Sequence, residues 1–202
     1  MEVRKVSDRS INEAVEKIWS GGIVVYPTET CYGIGCDATD AEAVDRIYDL
    51  KDRPRDKGLT VVVGSLETAE EYAELSEEER SICRELMPGP LTLVAEKKDG
   101  VPGVLNEDFA FRIPGSETAR RLAERSGVPL VATSANVSGE PSRYTVEDIE
   151  DAILESSDLV LDAGELERRE PSTVIGLTGE GLKVYREGPV KREDVEAVLD
   201  GR

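Results

Sequence analysis

Short apolar runs alternate along this chain with segments in which apolar residues recur every three to four positions. The apolar runs are predicted to be strands, at residues 22–26, 59–63, 91–95, 109–113, 128–134, 158–162, 172–177 and 182–186. Strands that are apolar on both faces are typical of a sheet that helices cover on both sides. We therefore predict an α/β fold, a twisted mixed and mostly parallel sheet flanked by helices.

Helix starts are predicted where a hydroxyl residue is followed three positions later by an acidic residue, because this pair forms a capping box. The predicted pairs are Ser10 with Glu13, Ser76 with Glu79, and Thr145 with Asp148. Further helices are predicted at residues 40–50, at residues 192–199, and from the cap Ser116 to Gly127.

The chain has 202 residues without a repeat, a low-complexity tract or a linker, so a single domain over residues 1–202 is predicted. No stretch approaches the roughly 20 apolar residues that a membrane span needs. The first residues also lack the apolar segment of a signal peptide. Cys31, Cys36 and Cys83 are odd in number and fit a reducing compartment. We expect small buried thiols in a cytoplasmic protein that does not contact a membrane.

The composition excludes histidine chemistry, since the sequence contains no His. This removes the usual general base near neutral pH and the commonest metal ligand. Any catalysis must use carboxylates, lysine, arginine, hydroxyls, backbone amides or the substrate itself. The chain is also strongly acidic, with 43 acidic against 25 basic residues. Such a charge disfavours general binding to nucleic acid, which depends on neutralising phosphates.

Four cations nevertheless lie at alternate positions in the run K-D-R-P-R-D-K: Lys51, Arg53, Arg55 and Lys57. An acidic protein repels polyanions at long range. A local cluster of cations in such a protein indicates a phosphate-bearing ligand, to which guanidinium and ammonium groups make charge-assisted bonds. The alternative is structural, because Lys and Arg also collect at the C-terminal end of a helix, where they offset its dipole.

Two polar segments directly follow predicted strands, where ligands bind in α/β sheets. The first is Y-P-T-E-T-C-Y-G-I-G at residues 26–35, which offers the hydroxyl of Thr30 and the small residues Gly33 and Gly35. The second is T-S-A-N-V-S-G at residues 133–139. The alternative for each segment is a turn without a ligand that caps its own backbone.

Ser134 and Asn136 lie two apart in the second segment, so they point the same way if the strand continues. Arg112 lies in an apolar strand and needs a partner. A ligand carboxylate held through two parallel bonds is one candidate, and a salt bridge to one of the neighbouring acids is the other. The segments P-S-T-V, at residues 171–174, and Y-R-E-G-P, at residues 185–189, are weaker signals.

Together these segments resemble the YrdC-like threonylcarbamoyl-AMP synthase family. The matching pieces, in the family's order, are Y-P-T-E-T-C-Y-G-I-G, L-K-D-R-P-R-D-K-G-L, P-G-P-L-T, F-R-I-P, T-S-A-N-V-S-G-E-P-S, P-S-T-V and R-E-G-P. The resemblance implies a short, catalytic-domain-only member whose sheet surrounds a deep cationic cavity. It also implies a nucleotidyltransferase reaction, in which L-threonine, bicarbonate and ATP give threonylcarbamoyl-AMP and pyrophosphate.

The resemblance assigns roles residue by residue. It implies catalytic roles for Lys51 and Arg53. The family's ATP-binding positions correspond to Arg53, Lys57, Asn136, Tyr144 and Arg186. Its threonine-binding positions correspond to Thr30, Arg112, Ser134 and Ser172. This chain departs from the family at Tyr144, where members usually have a small residue, and at Gly58, where many have Pro.

The implied reaction is compatible with a chain that lacks His. The amine of threonine captures carbon dioxide or bicarbonate, and the resulting carbamate attacks the α-phosphate in line. Such a transfer depends on positioning and charge neutralisation, which Lys51, Arg53, Lys57 and Arg186 would supply. We expect Mg²⁺ to arrive with ATP and expect no tightly held protein-bound metal. The product feeds threonylcarbamoyladenosine formation in tRNA through a separate threonylcarbamoyl transferase complex.

Two other functions fit the same segments. One is a binding module for double-stranded RNA or tRNA that uses the same cationic cavity, against which the acidic composition argues. The other is a transferase that uses carbamoyl phosphate, because related domains occur in hydrogenase maturation proteins. Those proteins carry acylphosphatase and zinc-finger segments, which this sequence does not contain.

Overall fold

The structure, a computed structural model, describes residues 1–99 and 108–201. Seven helices lie within these ranges: α1 (Asp8–Trp19), α2 (Ala41–Leu50), α3 (Leu66–Tyr72), α4 (Glu77–Leu86), α5 (Glu117–Ser126), α6 (Asp151–Ser156) and α7 (Arg192–Leu199). Twelve strands accompany them: β1 (Val3–Lys5), β2 (Val24–Pro27), β3 (Tyr32–Gly35), β4 (Val61–Val62), β5 (Ala73–Glu74), β6 (Leu91–Lys97), β7 (Asp108–Arg112), β8 (Leu130–Val131), β9 (Thr133–Ser134), β10 (Leu159–Asp162), β11 (Thr173–Thr178) and β12 (Gly181–Arg186).

The strands form two mixed sheets rather than one. The first has the order β1-β10-β2-β3-β9, and the second has the order β12-β11-β6-β7-β4-β8, with β5 beside β6. The sheets meet where Ala132 alone separates β8 from β9. Helices pack against both, which confirms the predicted α/β class with a mixed sheet and flanking helices.

The predicted preference for parallel pairing is wrong for the described residues. Four of their strand pairs are parallel and six are antiparallel. Short connections reverse the chain between β2 and β3 and between β11 and β12, whereas a parallel pair needs a crossover of a dozen or more residues. Apolar composition could not predict the direction of pairing, because a strand covered on both faces has the same apolar pattern in a parallel and in an antiparallel pair.

The capping residues explain where the helices begin. Ser76 and Glu79 form the predicted capping box of α4. Ser116 caps α5, which ends at Gly127 in the left-handed conformation, at φ 68°. This is the conformation that favours glycine after a helix. Both predictions are therefore confirmed.

The two other predicted caps are wrong. Helix α1 is capped by Ser7, and the Ser10 hydroxyl completes its capping box. Glu13 instead accepts hydrogen bonds from two arginines. The Asp148 amide donates to Thr145 Oγ1 at 3.2 Å, but this bond closes a local turn before α6 begins at Asp151. Hydroxyl side chains bond nearby backbone in turns as readily as at helix starts.

Two groups of buried apolar residues hold the elements together. The larger lies around β3, β6 and β7 with helices α2 and α4. The smaller joins α1 and α5 to β2 and β10. In the part of the chain that the structure describes, no helix is long and apolar enough to cross a membrane.

Candidate active site

A cavity of about 260 Å³ opens where residues from the two sheets meet. Six of the ten predicted site residues line it: Thr30, Arg53, Arg112, Ser134, Ser172 and Arg186. The other four are outside its lining: Lys51, Lys57, Asn136 and Tyr144. The sequence therefore correctly predicts that distant segments converge on one polar hollow, whereas the roles of the individual residues stay predictions.

Strand ends bring these side chains together. Arg112 is the last residue of β7, and Arg186 is the last residue of β12. Thr28 and Thr30 follow β2 in the connection to β3. This arrangement agrees with the rule that ligands bind beyond the ends of strands in α/β sheets.

Arg112 lies at the buried floor of the cavity and is paired with a carboxylate. Its Nη1 donates to Glu29 Oε1 at 2.7 Å, and the two side chains are only 8% and 11% exposed. The other Glu29 oxygen accepts the backbone amide of Ser116 at 3.2 Å. Of the two alternatives for Arg112, the structure therefore contains the salt bridge. The remaining N–H groups of the guanidinium can still bind a ligand carboxylate, because Arg has five donors.

Within residues 1–99 and 108–201, no carboxylate pairs with the guanidinium groups of Arg53 and Arg186. Arg53 donates to the backbone oxygens of Lys57 and Gly58, at 3.2 and 2.7 Å. Arg186 donates to the backbone oxygen and the hydroxyl of Ser172, at 2.9 and 3.1 Å. Partial burial of its guanidinium, together with the charge of Arg112, lowers the pKa of Arg186. Both guanidinium groups line the cavity.

Hydroxyl groups supply the uncharged part of the lining. Thr30 Oγ1 lies 3.0 Å from Thr28 Oγ1, which also donates to the Cys31 backbone oxygen at 2.7 Å. Ser172 Oγ lies 3.0 Å from Thr92 Oγ1. Because a hydroxyl can both donate and accept, these groups can bind either an ammonium or a carboxylate.

The four cations of the basic run point in different directions. Only Arg53 lines the cavity. Arg55 faces outward, where it pairs with Asp45 and Asp49 and lies over the Tyr48 ring. Lys57 is exposed, and its backbone oxygen accepts from Arg53. Pro54 and the positive φ of Asp52, 48°, bend the segment, so alternate positions do not share a face.

Lys51 lies within the protein, at 2% exposure. Its Nζ donates to the backbone oxygens of Ser134 and Asn136. Burial, with a smaller effect from the nearby Arg53 guanidinium, lowers the pKa of Lys51 to about 8. Lys51, which directly follows α2, thus connects this helix to β9. Both residues of β9 line the cavity, so Lys51 stabilises one of its walls.

Asn136 and Tyr144 also lie behind the lining. The Asn136 side-chain amide donates to the backbone oxygens of Val137 and Glu140, while its Oδ1 is buried without a partner. The guanidinium carbon of Arg168 lies over the Tyr144 ring, 5.2 Å from the ring centroid.

Sequence reasoning missed several lining residues, among them Thr60, Ser142 and Arg169. Thr60 lies within the predicted strand at residues 59–63, and Ser142 is the last residue of the matching piece T-S-A-N-V-S-G-E-P-S, but neither was assigned a role. Arg169 lies in the strongly charged stretch E-L-E-R-R-E, where a cation is expected to be a solvated surface residue. Its proximity to P-S-T-V, residues 171–174, is the signal that could have found it.

The cysteines agree with the predicted structural role. Cys31, Cys36 and Cys83 are free and buried. Cys31 lines the cavity, and burial raises the pKa of its thiol. A thiol with a raised pKa is a poor nucleophile at neutral pH.

A sequence model of the Sua5/YciO/YrdC family, described as "Telomere recombination", matches residues 16–188. The chain belongs to the Sua5/YciO/YrdC family. This confirms the resemblance that the sequence motifs carried. All residues that line the cavity, from Thr28 to Arg186, therefore lie within the range that the family model matches.

Individual relatives of this Sua5/YciO/YrdC protein match nearly its whole length. The threonylcarbamoyl-AMP synthase of Pyrococcus abyssi is 36% identical over 199 residues, covering 96% of this chain and 58% of that protein. A relative from Methanocaldococcus jannaschii is 35% identical over 191 residues, covering 94% of this chain and 91% of that protein. The chain thus spans less than two thirds of the first relative and most of the second.

A solved structure of this family has the same fold. The crystal structure of P. abyssi Sua5 complexed with L-threonine superimposes with a TM-score of 0.89 at 36% identity. The match covers 98% of this chain and 59% of that one.

Proposed function

We propose that this protein is an L-threonylcarbamoyl-AMP synthase, which makes threonylcarbamoyl-AMP and pyrophosphate from L-threonine, bicarbonate and ATP. The observation that carries the proposal is that Arg53, Arg112 and Arg186, from three distant segments, line one polar cavity. The P. abyssi relative, crystallised with L-threonine, supports this assignment.

The amino acid is proposed to bind at the floor of the cavity. Arg112 is buried there and can bind a carboxylate through N–H groups that Glu29 does not occupy. The hydroxyls of Thr30, Ser134 and Ser172 would bind the remaining polar groups of threonine. Glu29 fixes the Arg112 guanidinium in one orientation, which keeps the amino acid's position defined.

The triphosphate is proposed to lie toward the rim. The guanidinium groups of Arg53 and Arg186 donate to backbone oxygens and to the Ser172 hydroxyl, and among the described residues they pair with no carboxylate. Their charge is thus available to phosphate oxygens. Mg²⁺ would enter with ATP as part of the substrate, bridging phosphate oxygens as it does in most nucleotide sites.

The chemistry requires two bond-forming steps. The free amine of threonine attacks the carbon of carbon dioxide or bicarbonate, which gives a carbamate. Attack on carbon dioxide releases a proton, whereas attack on bicarbonate releases water. A carbamate oxygen then attacks the α-phosphorus, and the bond to the β-phosphate oxygen breaks to release pyrophosphate. Because the carbamate is already an anion, the cavity needs to orient it and neutralise charge rather than remove a proton.

The proposal also includes the use of the product and the compartment in which it is made. The product would pass to a threonylcarbamoyl transferase complex that modifies tRNA in the cytoplasm, a compartment that three free cysteines fit. Binding of tRNA or double-stranded RNA by the cavity receives less support. Most surface arginines, such as Arg55, Arg121 and Arg125, are paired with carboxylates and do not form an open basic surface.

A pyrophosphate-release assay with ATP, bicarbonate and each amino acid in turn tests the proposal. We expect release that depends on threonine and falls by roughly 100-fold in Arg53→Ala, as when a preorganised electrostatic donor is removed. Arg55→Ala is the matched control, because it removes the same charge from the same run outside the cavity. Release without any amino-acid dependence, or equal turnover of Arg53→Ala and Arg55→Ala, would reject the proposal.

A further inference from the structure

We propose that Arg169 is an additional phosphate-binding residue of the cavity, one that leaves a surface carboxylate to bind the outer phosphates of the nucleotide. The proposal rests on the proposed function, since it assumes a triphosphate in this cavity. It adds a cation that none of the sequence motifs indicated.

Arg169 is placed where the outer phosphates would lie. It lines the same cavity as Arg53 and Arg186, and it is exposed, as the rim of the cavity is. Ser172, which lies three residues further along the chain, accepts both hydrogen bonds from Arg186. Arg186 is therefore held against the same short stretch of chain that carries Arg169. A phosphate chain that runs outward from Arg186 would meet Arg169 next.

The present partner of Arg169 holds it weakly. Nε and Nη2 donate to one oxygen of Glu167, at 3.1 and 2.6 Å, and the side chains are 57% and 74% exposed. Exposed ion pairs of this kind contribute little to stability. A phosphate, which offers a guanidinium two parallel bonds, can therefore replace the carboxylate. The buried pair of Arg112 and Glu29 has no such freedom.

The backbone that carries Arg169 is anchored, so only the side chain needs to move. Tyr32 Oη donates to the Gly164 oxygen at 2.8 Å and accepts from the Ala163 amide at 2.9 Å. The Leu166 amide donates to the Tyr144 oxygen at 2.8 Å, and Arg168 lies over the Tyr144 ring. Tyr144 thereby anchors the segment at residues 163–171, and its predicted nucleotide contact stays a prediction.

The charges of the cavity leave room for another cation. Glu29 neutralises Arg112, so Arg53 and Arg186 supply the net positive charge among the motif residues in the lining. A triphosphate carries more negative charge than two guanidinium groups offset. Arg169 would supply a third positive charge once Glu167 has turned into solvent.

Calorimetric titration of the full chain with ATP, inorganic pyrophosphate and L-threonine tests this proposal. Arg169→Ala is expected to bind ATP and pyrophosphate about tenfold more weakly, because it loses a charge-assisted bond. Glu167→Gln is expected to bind both about two- to fivefold more tightly, since its competing exposed ion pair is gone. Threonine affinity should stay unchanged in both variants.

Arg192→Ala is the matched control, because Arg192 also forms an exposed pair, with Glu196, at a site away from the cavity. Equal ATP and pyrophosphate affinities in Arg169→Ala and Arg192→Ala would overturn the proposal. So would an equal loss of threonine affinity in Arg169→Ala, which would indicate a structural role. If wild-type protein lacks threonine-dependent turnover but Arg169→Ala still weakens pyrophosphate binding, the phosphate site stands and the proposed function fails.

Discussion

At the scale of single residues, Lys51 supports the site without lining it. Its ammonium group joins two backbone oxygens of the segment that carries Ser134, and the Lys51 oxygen accepts the Ser138 amide at 2.9 Å. Removing this side chain would leave two buried carbonyl groups without their donor, which is costly. A loss of activity on substitution would therefore be an effect on the position of the cavity wall.

The lowered pKa of Lys51 gives a pH-dependent prediction. In the folded protein the pKa is about 8, below the ordinary 10.5, so between these values the unfolded chain binds more protons. Stability that Lys51 contributes must then rise with pH across this window. The comparison is between wild type and Lys51→Met. We expect the difference in unfolding free energy, wild type minus variant, to increase by up to about 3 kcal/mol between pH 8 and pH 10.5. Denaturant titrations of both proteins measure it, and a difference that is flat or decreasing with pH would refute it.

The placement of some site residues was predictable from the sequence, and that of others was not. That Arg53, Arg112 and Arg186 line one cavity was predictable from the family resemblance, which the ordered motifs carry. The inward burial of Lys51 and the outward pairing of Arg55 could not be predicted, since they depend on how Pro54 and Asp52 bend the chain. The same holds for Glu29, whose partner lies 83 positions away.

At the scale of elements, close packing of β3 against β8 shapes one wall of the cavity. A Cβ atom at Gly35 would lie 1.9 Å from the Val131 oxygen, so a larger residue would force the strands apart. Gly33, on the same strand, lines the cavity. Gly188 has a similar role, because a Cβ atom there would lie 2.3 Å from the Pro171 oxygen. The glycine of R-E-G-P thus allows contact with P-S-T-V.

Gly35→Ala is therefore expected to lower the unfolding free energy by about 3 kcal/mol, at the upper end of the usual cost of overpacking. Gly179→Ala is the control, since a Cβ atom there would have no neighbour within 4 Å, and we expect a change within about 0.5 kcal/mol. Chemical denaturation compares the two. Equal stability of both variants would show that β3 and β8 do not need this glycine.

Elements with local signals were predictable and those without were not. Helices α4 and α5 followed from their own capping residues, Ser76 and Ser116, because a cap acts within three positions. Strand β3 lies inside a polar motif, and its strand character comes from pairing with β2 and β9. That pairing is tertiary, so the single sequence predicted no strand at Tyr32–Gly35.

At the scale of the whole molecule, two sheets provide one site in a chain with a net charge of −18. The first sheet brings the hydroxyls of Thr30 and Ser134, and the second brings Arg112 and Arg186. Under the proposed function, the net negative charge of the chain would repel large polyanions at long range while the arginines of the lining bind a small one. This separation of charge favours a nucleotide over RNA as the ligand.

Under the proposed function, the cavity holds an amino acid and a nucleotide side by side. A crystal structure of this protein with L-threonine and a non-hydrolysable ATP analogue tests that claim most directly. We predict the threonine carboxylate within hydrogen-bonding distance of Arg112 and the triphosphate in contact with Arg53 and Arg186. Density for either molecule outside this cavity, with Arg112 and Arg53 contacting no ligand, would contradict the account.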